Sequence, residues 1–362
     1  MKMIKFFAIA AISMALFSSC GNGGKGGAAN GKDSTSSDKE LLGAGSTFVY
    51  PLCSKLFDAY NQLTGVKVNY QSIGSGGGIK QLQAKTVDFG ASDAFMSDDD
   101  IKASGADIIQ FPVCMGAVVV TYNLDGVAKL KLTPEILSGI FLGNIKKWND
   151  KEIAKANEGV KLPNTDIMVV HRSDGSGTTN IFTDYLSKVS PEWKTKIGVG
   201  KSVNWPVGVG GKGNEGVAGQ VKQTPGAIGY VELAYAAKNN MAIADLKNAS
   251  GNFITPSLQS VQSAANIDLP ADTRITITNS PAADAYPISG FTWFILYKEQ
   301  NYGGRSQAKA SNVTKMMWWV THEGQQYNEP LQYAKLSDKA TKVVETLLNS
   351  VTYGGKPILT NK

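Results

Sequence analysis

Short apolar runs alternate with segments of helical periodicity along most of the chain, and this alternation is the strongest constraint on its fold. Runs such as Ile167–Val170 have the length and branched side chains of buried strands, whereas segments such as 180–189 repeat apolar residues at helical spacing. Repeated strand–helix units favour an α/β fold with mostly parallel sheets covered by helices. With 362 residues, the chain is long enough for two domains of ordinary size.

The first forty residues have the composition of an export signal and a tether. Residues 1–19 combine two lysines with an apolar run too short to span a membrane, and small residues precede Cys20. We therefore expect a signal peptide over 1–19 and lipidation of Cys20; a buried N-terminal helix is the alternative. Residues 20–40 contain no large apolar side chain, so we expect a flexible tether there.

Two further cysteines, Cys53 and Cys114, lie in apolar segments. In an oxidising compartment they would either form a disulfide or pack as small core residues, and the sequence leaves both alternatives open. The chain has only two histidines and no spacing typical of a zinc site, so we expect no metal and no cofactor. Basic and acidic residues alternate at a net charge of +6, which is not the pattern of a nucleic-acid-binding protein.

Three strand-to-helix loops share a composition rich in glycine and hydroxyl residues. They are residues 43–48 (GAGSTF), 73–78 (IGSGGG) and 171–180 (HRSDGSGTTN). The first N–H groups of a helix lack internal partners and lie at the positive end of its dipole, so such loops bind anions. Helix capping explains each loop alone, but not their recurrence. Together they predict a cage of N–H and hydroxyl donors for a small oxygenated anion.

Charged residues beside these loops refine the expected ligand. Arg172 provides a planar, permanent positive charge for two oxygens, and Asp174 is close enough in sequence to hold the guanidinium. Asp93 follows the strand-like segment 87–91 and would add an acceptor among donors; an ordinary turn aspartate is the alternative. A carboxylate accepts a hydrogen bond from a protonated anion such as phosphate and repels a fully ionised one such as sulfate.

Six segments together resemble the periplasmic phosphate-binding proteins of bacterial ABC phosphate importers. They occur in the same order and with similar spacing, at 43–48, 68–94, 141–150, 171–186, 205–217 and 225–236. The resemblance implies a two-lobed periplasmic binding protein fold of type II, with two mixed sheets flanked by helices and a hinge between the lobes. It implies lobe 1 over 41–121 and 288–362 and lobe 2 over 122–287. Residues 248–283 match poorly, and no role is assigned to them.

The resemblance also implies the ligands of phosphate, residue by residue. Thr47 and Phe48 would use main-chain N–H groups, and Thr47 also its hydroxyl. Asp174 would support Arg172. The full set of implied ligands is Thr47, Phe48, Ser75, Asp93, Arg172, Ser176, Gly177 and Thr178. We therefore expect a monomeric, non-enzymatic receptor that binds phosphate with high affinity in the periplasm. It would deliver phosphate to the permease and ATPase of an ABC importer, and a lipid on Cys20 would anchor it to the membrane.

Other classes of protein remain as alternatives. A secreted phosphatase or esterase would use Ser176 as nucleophile and His171 as base, although the metal ligands typical of phosphate-ester hydrolysis are missing. A surface adhesin lipoprotein fits the tether but not the three loops. Residues 208–213 match the spacing of a dinucleotide-binding loop with Glu232 downstream, but the preceding proline argues against a strand there and hence against a nucleotide site.

Overall fold

Residues 36–359 are described by a computed structural model, in which strands and helices alternate through most of the chain. The strands are β1 (Glu40–Gly45), β2 (Lys67–Ser72), β3 (Phe89–Ser92), β4 (Ile108–Tyr122), β5 (Lys131–Leu132), β6 (Met168–Arg172), β7 (Val209–Gly211), β8 (Ala227–Glu232), β9 (Ala242–Ile243), β10 (Asp245–Lys247), β11 (Phe253–Ile254), β12 (Ser289–Tyr297), β13 (Thr352–Tyr353) and β14 (Lys356–Pro357). The α-helices are α1 (Tyr50–Thr64), α2 (Ser75–Gln83), α3 (Asp98–Ala103), α4 (Pro134–Phe141), α5 (Lys151–Ala156), α6 (Gly177–Val189), α7 (Pro191–Lys196), α8 (Gly213–Gln223), α9 (Leu233–Lys238), α10 (Leu258–Ala264), α11 (Gln307–Thr321) and α12 (Asp338–Asn349). Short 3-10 helices span Ser36–Lys39, Glu323–Tyr327 and Glu329–Leu331.

One nine-stranded sheet contains most of the strands. Its order is β2-β1-β3-β12-β4-β8-β6-β7, and β9 also pairs with β4. At the two ends β1 is parallel to β2 and β3, and β6 is parallel to β7 and β8. In the middle, β4 and β12 are antiparallel to each other and to their neighbours, so the expectation of mostly parallel sheets was wrong there. The reason is that the chain leaves the β1 end of the sheet along β4 and returns to that end along β12.

The long strand β4 connects the two ends of the sheet. Its residues 108–117 pair with β12, and residues 118–122 pair with β8 and β9. All of its residues except the first are buried, as expected for a continuous apolar run covered on both faces. The change of partner falls between Ala117 and Val118. The predicted mixed α/β class is confirmed, and the lobe boundaries at 121/122 and 287/288 stay a prediction.

The glycine-rich loops lie at the carboxyl ends of parallel strands. The loop after β1 leads into α1, the loop after β2 into α2, and the loop after β6 into α6, which begins at Gly177 with Ser176 as its N-cap. Apolar side chains on one face of α1 are buried against the sheet and hold that helix in position. Because ligands of α/β sheets bind outside the carboxyl ends of strands, this edge is where a site is expected.

The folded body begins before Leu41, the start expected from composition. Residues 36–39 form a 3-10 helix, and Asp38 in it is buried. Ser306 donates a hydrogen bond to the Asp38 carboxylate, and Asn312 donates one to its carbonyl (2.9 Å). The last residues of the predicted tether are therefore folded, because partners far away in the sequence order them. The predicted signal peptide at 1–19 and the lipidation site Cys20 lie outside the described residues.

Three further expectations concern cysteines, metals and membrane spans. Cys53 and Cys114 are free thiols, and both are buried, which agrees with the packing alternative and not with the disulfide. Across residues 36–359, histidine, cysteine and carboxylate side chains form no group of three or more that would hold a metal ion. In the same range, no helix is both long and apolar enough to cross a membrane.

Candidate functional site

The three glycine-rich loops meet at one place. The N–H of Gly76 in the second loop donates a hydrogen bond to the carbonyl of Gly175 in the third (2.9 Å). The first loop joins them through Asp93, which accepts a hydrogen bond from Ser46 (2.5 Å) and one from Ser75 (3.4 Å). Gly177 lies so close that a Cβ there would overlap with the Ser75 hydroxyl and the Asp93 carboxylate. The loops therefore form one cage from both ends of the sheet.

Main-chain N–H groups at the helix starts supply the first set of donors. Within the part of the chain that the structure describes, five buried residues of these loops have an N–H without a protein acceptor: Thr47, Phe48, Ser75, Gly177 and Thr178. A buried N–H without a partner costs free energy comparable to a lost hydrogen bond, so five together indicate an acceptor supplied from outside the chain. An anion at the positive ends of α2 and α6 satisfies this requirement.

Hydroxyl groups supply the second set. Thr47, Ser75, Ser176 and Thr178 are at most 2% exposed. The Ser176 hydroxyl accepts the N–H of Thr179 (2.9 Å) as the N-cap of α6, which leaves its own hydrogen free to donate. Its main-chain N–H is already used by the carbonyl of Lys201 (2.8 Å), so Ser176 offers only the hydroxyl to a ligand.

Arg172 is the buried positive charge of the cage. Its guanidinium contacts Asp174 through two hydrogen bonds, Nε to Oδ1 (2.8 Å) and Nη2 to Oδ2 (2.5 Å). The remaining nitrogen, Nη1, lies 3.3 Å from the Thr178 hydroxyl on the cage side. Burial alone would raise the pKa of Asp174, but the hydrogen bonds and charge of Arg172 outweigh it and hold that pKa below its ordinary value. Asp174 thus stays ionised, fixes the guanidinium plane and offsets its charge.

Asp93 is the acceptor in the cage. Its Oδ1 accepts hydrogen bonds from the hydroxyls of Ser46 (2.5 Å) and Thr292 (2.7 Å), which occupy both lone pairs of that oxygen. Its Oδ2 faces Gly177 and has only the long contact with Ser75, so it keeps capacity for a further donor. Burial raises the pKa of Asp93 to about 6, although the hydrogen bonds from Ser46 and Thr292 lower it.

Four contributing residues were not identified from the sequence. Ser46 and Thr292 hold Asp93, Tyr235 donates to the carbonyl of Thr47 (2.6 Å), and Asn214 donates to the hydroxyls of Thr47 and Thr178. The sequence could have pointed to Asn214, because this residue occupies the first turn of α8 directly after a glycine-rich strand. No such feature marks Thr292, since it lies inside the continuous apolar strand β12.

His171, Glu232 and the glycines of 208–213, on which the hydrolase and dinucleotide-binding alternatives depend, have other functions in the fold. His171 stacks on Trp205 (ring centroids 4.8 Å apart), and its Nδ1 contacts the carbonyl of Arg172 (3.0 Å), so its ring is not hydrogen-bonded to Ser176. Of the glycines in 208–213, Gly210 lies in β7 and Gly213 is the first residue of α8, whereas Gly208 precedes β7. Glu232 is fully buried behind the cage, where its Oε2 lies 3.0 Å from the hydroxyl of Tyr333. A nucleotide ribose has no access to it there.

Comparisons with known proteins find a matching family model, similar sequences and solved structures of similar fold. A family model described as "PBP superfamily domain" matches residues 30–316. The phosphate-binding protein PstS of Xylella fastidiosa (strain 9a5c) is 48% identical over 311 residues, which cover 84% of this chain and 84% of that protein. Among solved structures, the high-affinity periplasmic phosphate-binding protein PfluDING with bound phosphate superposes with a TM-score of 0.69 at 20% identity, covering 85% of this chain and 93% of the other. An ABC-type phosphate transport receptor from Vibrio cholerae superposes with a TM-score of 0.53 at 16% identity, covering 82% and 100%. The two structural likenesses concern the fold alone.

Proposed function

The chain belongs to the phosphate-binding protein family within the PBP superfamily, and from this premise we propose that it is a receptor for inorganic phosphate. In this proposal, phosphate binds in the cage with high affinity and is handed to the permease and ATPase of an ABC phosphate importer. The receptor is a monomer that binds without chemical turnover.

The observation that supports the proposal most is the pairing of many donors with one acceptor. Among the described residues, five buried N–H groups without protein partners, the buried hydroxyls of Thr47, Ser176 and Thr178, and Arg172 offer hydrogens to the same space. The Asp93 carboxylate provides an acceptor there, because its Oδ2 faces Gly177. A tetrahedral anion that carries one proton at neutral pH matches this set, because its oxygens accept from the donors and its proton goes to Asp93 Oδ2. Phosphate has this property, and sulfate does not.

Calorimetric titration tests the proposal. The protein is unfolded, freed of small anions by dialysis, refolded and titrated with phosphate and with sulfate at neutral pH. We expect one phosphate per chain, a submicromolar dissociation constant and no measurable sulfate binding. Equal affinity for the two anions, or no heat with phosphate from a correctly refolded protein, would contradict it.

Delivery requires that the ligand-bound receptor differ from the free one. Contacts between residues from the two ends of the sheet support a closed arrangement around the ligand. Lys201 pairs with Asp100 (3.2 Å), and the hydroxyl of Tyr333 donates to the carbonyl of Phe48 (2.7 Å) and lies 3.0 Å from Glu232 Oε2. Closure lets a permease distinguish the loaded receptor from the empty one. Small-angle scattering with and without phosphate checks this, and an unchanged radius of gyration would contradict it.

The proposed location is the periplasm, with the receptor anchored by lipid at Cys20. The support is the N-terminal composition: an apolar run after two lysines, a cysteine after small residues, and a polar segment before the folded body. Metabolic labelling with a radioactive fatty acid tests it. We expect label in the native chain and none in Cys20→Ser, with release of the variant from the membrane fraction; equal labelling of both would exclude lipidation at this residue.

The enzyme alternative receives no support from the positions of Ser176 and His171. The Ser176 hydroxyl serves as a helix cap, and no general base contacts it among the described residues. Hydrolysis of p-nitrophenyl phosphate provides the check. We expect no turnover, and turnover abolished by Ser176→Ala would replace the receptor proposal by an enzymatic one.

A further inference from the structure

Asn214 occupies a position from which one side chain reaches two of the hydroxyls in the cage. It is the second residue of α8 and is fully buried. Gly213 before it has a φ of 70°, which lets the chain turn sharply from β7 into the helix. Its side chain does not cap α8, and its contacts reach other loops of the cage.

The orientation of the Asn214 amide is determined by one contact. The main-chain N–H of Glu232 lies 2.9 Å from Asn214 Oδ1. A main-chain N–H can only donate, so the amide atom facing it must be the oxygen. The NH₂ group therefore faces the opposite direction, toward the cage.

There the NH₂ group meets two threonine hydroxyls. Asn214 Nδ2 lies 2.8 Å from Thr47 Oγ1 and 3.1 Å from Thr178 Oγ1. The amide nitrogen has two hydrogens and no lone pair for accepting, so both threonine oxygens must accept. Thr47 Oγ1 also accepts the main-chain N–H of Asn214 (3.2 Å), and Thr178 Oγ1 also accepts Arg172 Nη1 (3.3 Å).

Each of these hydroxyl oxygens thus receives two hydrogen bonds, which occupy both of its lone pairs. The only hydrogen-bonding capacity left on the Thr47 and Thr178 hydroxyls is their own hydrogen. We propose that Asn214 is a positioning residue that forces both threonine hydroxyls to act as donors to the bound anion. This inference rests on the proposed function, because it concerns the phosphate cage.

The consequence is a one-way chain of donors. Glu232 donates to Asn214, Asn214 donates to both threonines, and the threonines donate to phosphate. Without Asn214, each hydroxyl is free to point its hydrogen at a protein acceptor, and turning it toward the anion costs part of the binding free energy. The residue itself need not touch phosphate.

A double-mutant cycle separates this orienting function from a merely structural one. Asn214→Leu removes the amide, and Thr47→Val combined with Thr178→Val removes the hydroxyls it orients. We expect Asn214→Leu to weaken phosphate binding about 10- to 100-fold in the native chain, as for the loss of hydrogen bonds to a charged ligand. In the chain that lacks both hydroxyls, the same substitution should weaken binding by no more than about threefold.

A second variant covers the case in which Asn214→Leu does not fold. Asn214→Asp keeps the oxygen that accepts the Glu232 N–H, so its thermal unfolding temperature without ligand should stay close to that of the native chain. Its carboxylate needs donors and turns both hydroxyls away from the anion. We expect phosphate binding at least about 100-fold weaker at pH 8, recovering relative to the native chain as the pH falls and the new carboxyl takes up a proton.

The outcomes distinguish this inference from the receptor proposal. If the native chain does not bind phosphate, the receptor proposal fails and this inference fails with it. If the native chain binds phosphate and the effect of Asn214→Leu is the same with and without the two hydroxyls, only the orienting function is overturned. Phosphate binding by Asn214→Asp as tight as that of the native chain would also overturn the orienting function and leave the receptor proposal intact.

Discussion

Asp93 should determine whether the cage prefers phosphate to sulfate, and Asp93→Asn tests this. At neutral pH monohydrogen phosphate and sulfate carry the same charge, so their repulsion from a carboxylate is similar and largely cancels in the ratio of affinities. What differs is the contact at Asp93 Oδ2, which faces Gly177 in the cage. The proton of phosphate donates to it, whereas sulfate brings an oxygen lone pair against it.

The magnitude follows from that single contact. A hydrogen bond involving a charged group contributes about 1.5–3 kcal/mol, and a buried charged oxygen left without a donor costs about as much again. The difference of about 3–6 kcal/mol corresponds to a selectivity of about 10² to 10⁴, at about 1.4 kcal/mol per factor of ten. In Asp93→Asn the amide oxygen is held by Ser46 and Thr292, as Oδ1 now is, so the NH₂ faces the cage and favours sulfate. We expect the ratio of affinities to fall at least about 100-fold.

The pH dependence of sulfate binding tests the role of Asp93 independently. Burial raises the pKa of Asp93 to about 6, so the carboxyl is protonated below that pH and becomes a donor that sulfate accepts. The native chain should bind sulfate below pH 6 and lose about tenfold in affinity per pH unit above it. Asp93→Asn should bind sulfate with no such slope between about pH 5 and pH 8. Calorimetry with both anions measures this, and a native slope near zero or an unchanged anion ratio would refute the reasoning.

Three further substitutions test other parts of the site. Arg172→Ala should weaken phosphate binding by several kcal/mol, about 10²- to 10⁴-fold, because a buried charge with two hydrogen bonds is lost; a change below threefold would place the arginine outside the site. Gly177→Ala should weaken binding at least about 100-fold, because its methyl group overlaps with two polar groups of the cage, whereas Gly219→Ala, where a Cβ has open space, should bind like the native chain. Lys201→Met should speed phosphate release up to about fivefold in stopped-flow measurements, because it removes a partly exposed ion pair across the rim of the cage. The control Lys196→Met removes an ion pair within α7 and should leave the release rate unchanged.

The local features of the fold and the site could be predicted from the sequence. The strand predicted at 167–170 and the helix predicted at 180–189 correspond to β6 and α6 within three residues at each end, because both are governed by neighbours within a few residues. The three loops were recognisable for the same reason: glycine and hydroxyl residues at a helix start have a local physical meaning.

Features that depend on distant partners could not be predicted. Thr292 holds Asp93 across 199 residues of sequence, and nothing in an apolar strand distinguishes it from a core threonine. Asn214 contacts Thr47 across 167 residues, and its amide direction depends on the N–H of Glu232. The antiparallel centre of the sheet and the folding of residues 36–39 belong to the same class, because tertiary contacts and not local propensity determine them.

The structure of the protein with bound phosphate tests the central claim most directly. We predict a single phosphate within hydrogen-bond distance of all three loops, with the N–H groups at the starts of α2 and α6, the Arg172 guanidinium and Asp93 Oδ2 as neighbours. A phosphate that contacts only one loop, or that binds at another place on the surface, would contradict the claim that loops from both ends of the sheet form one anion site.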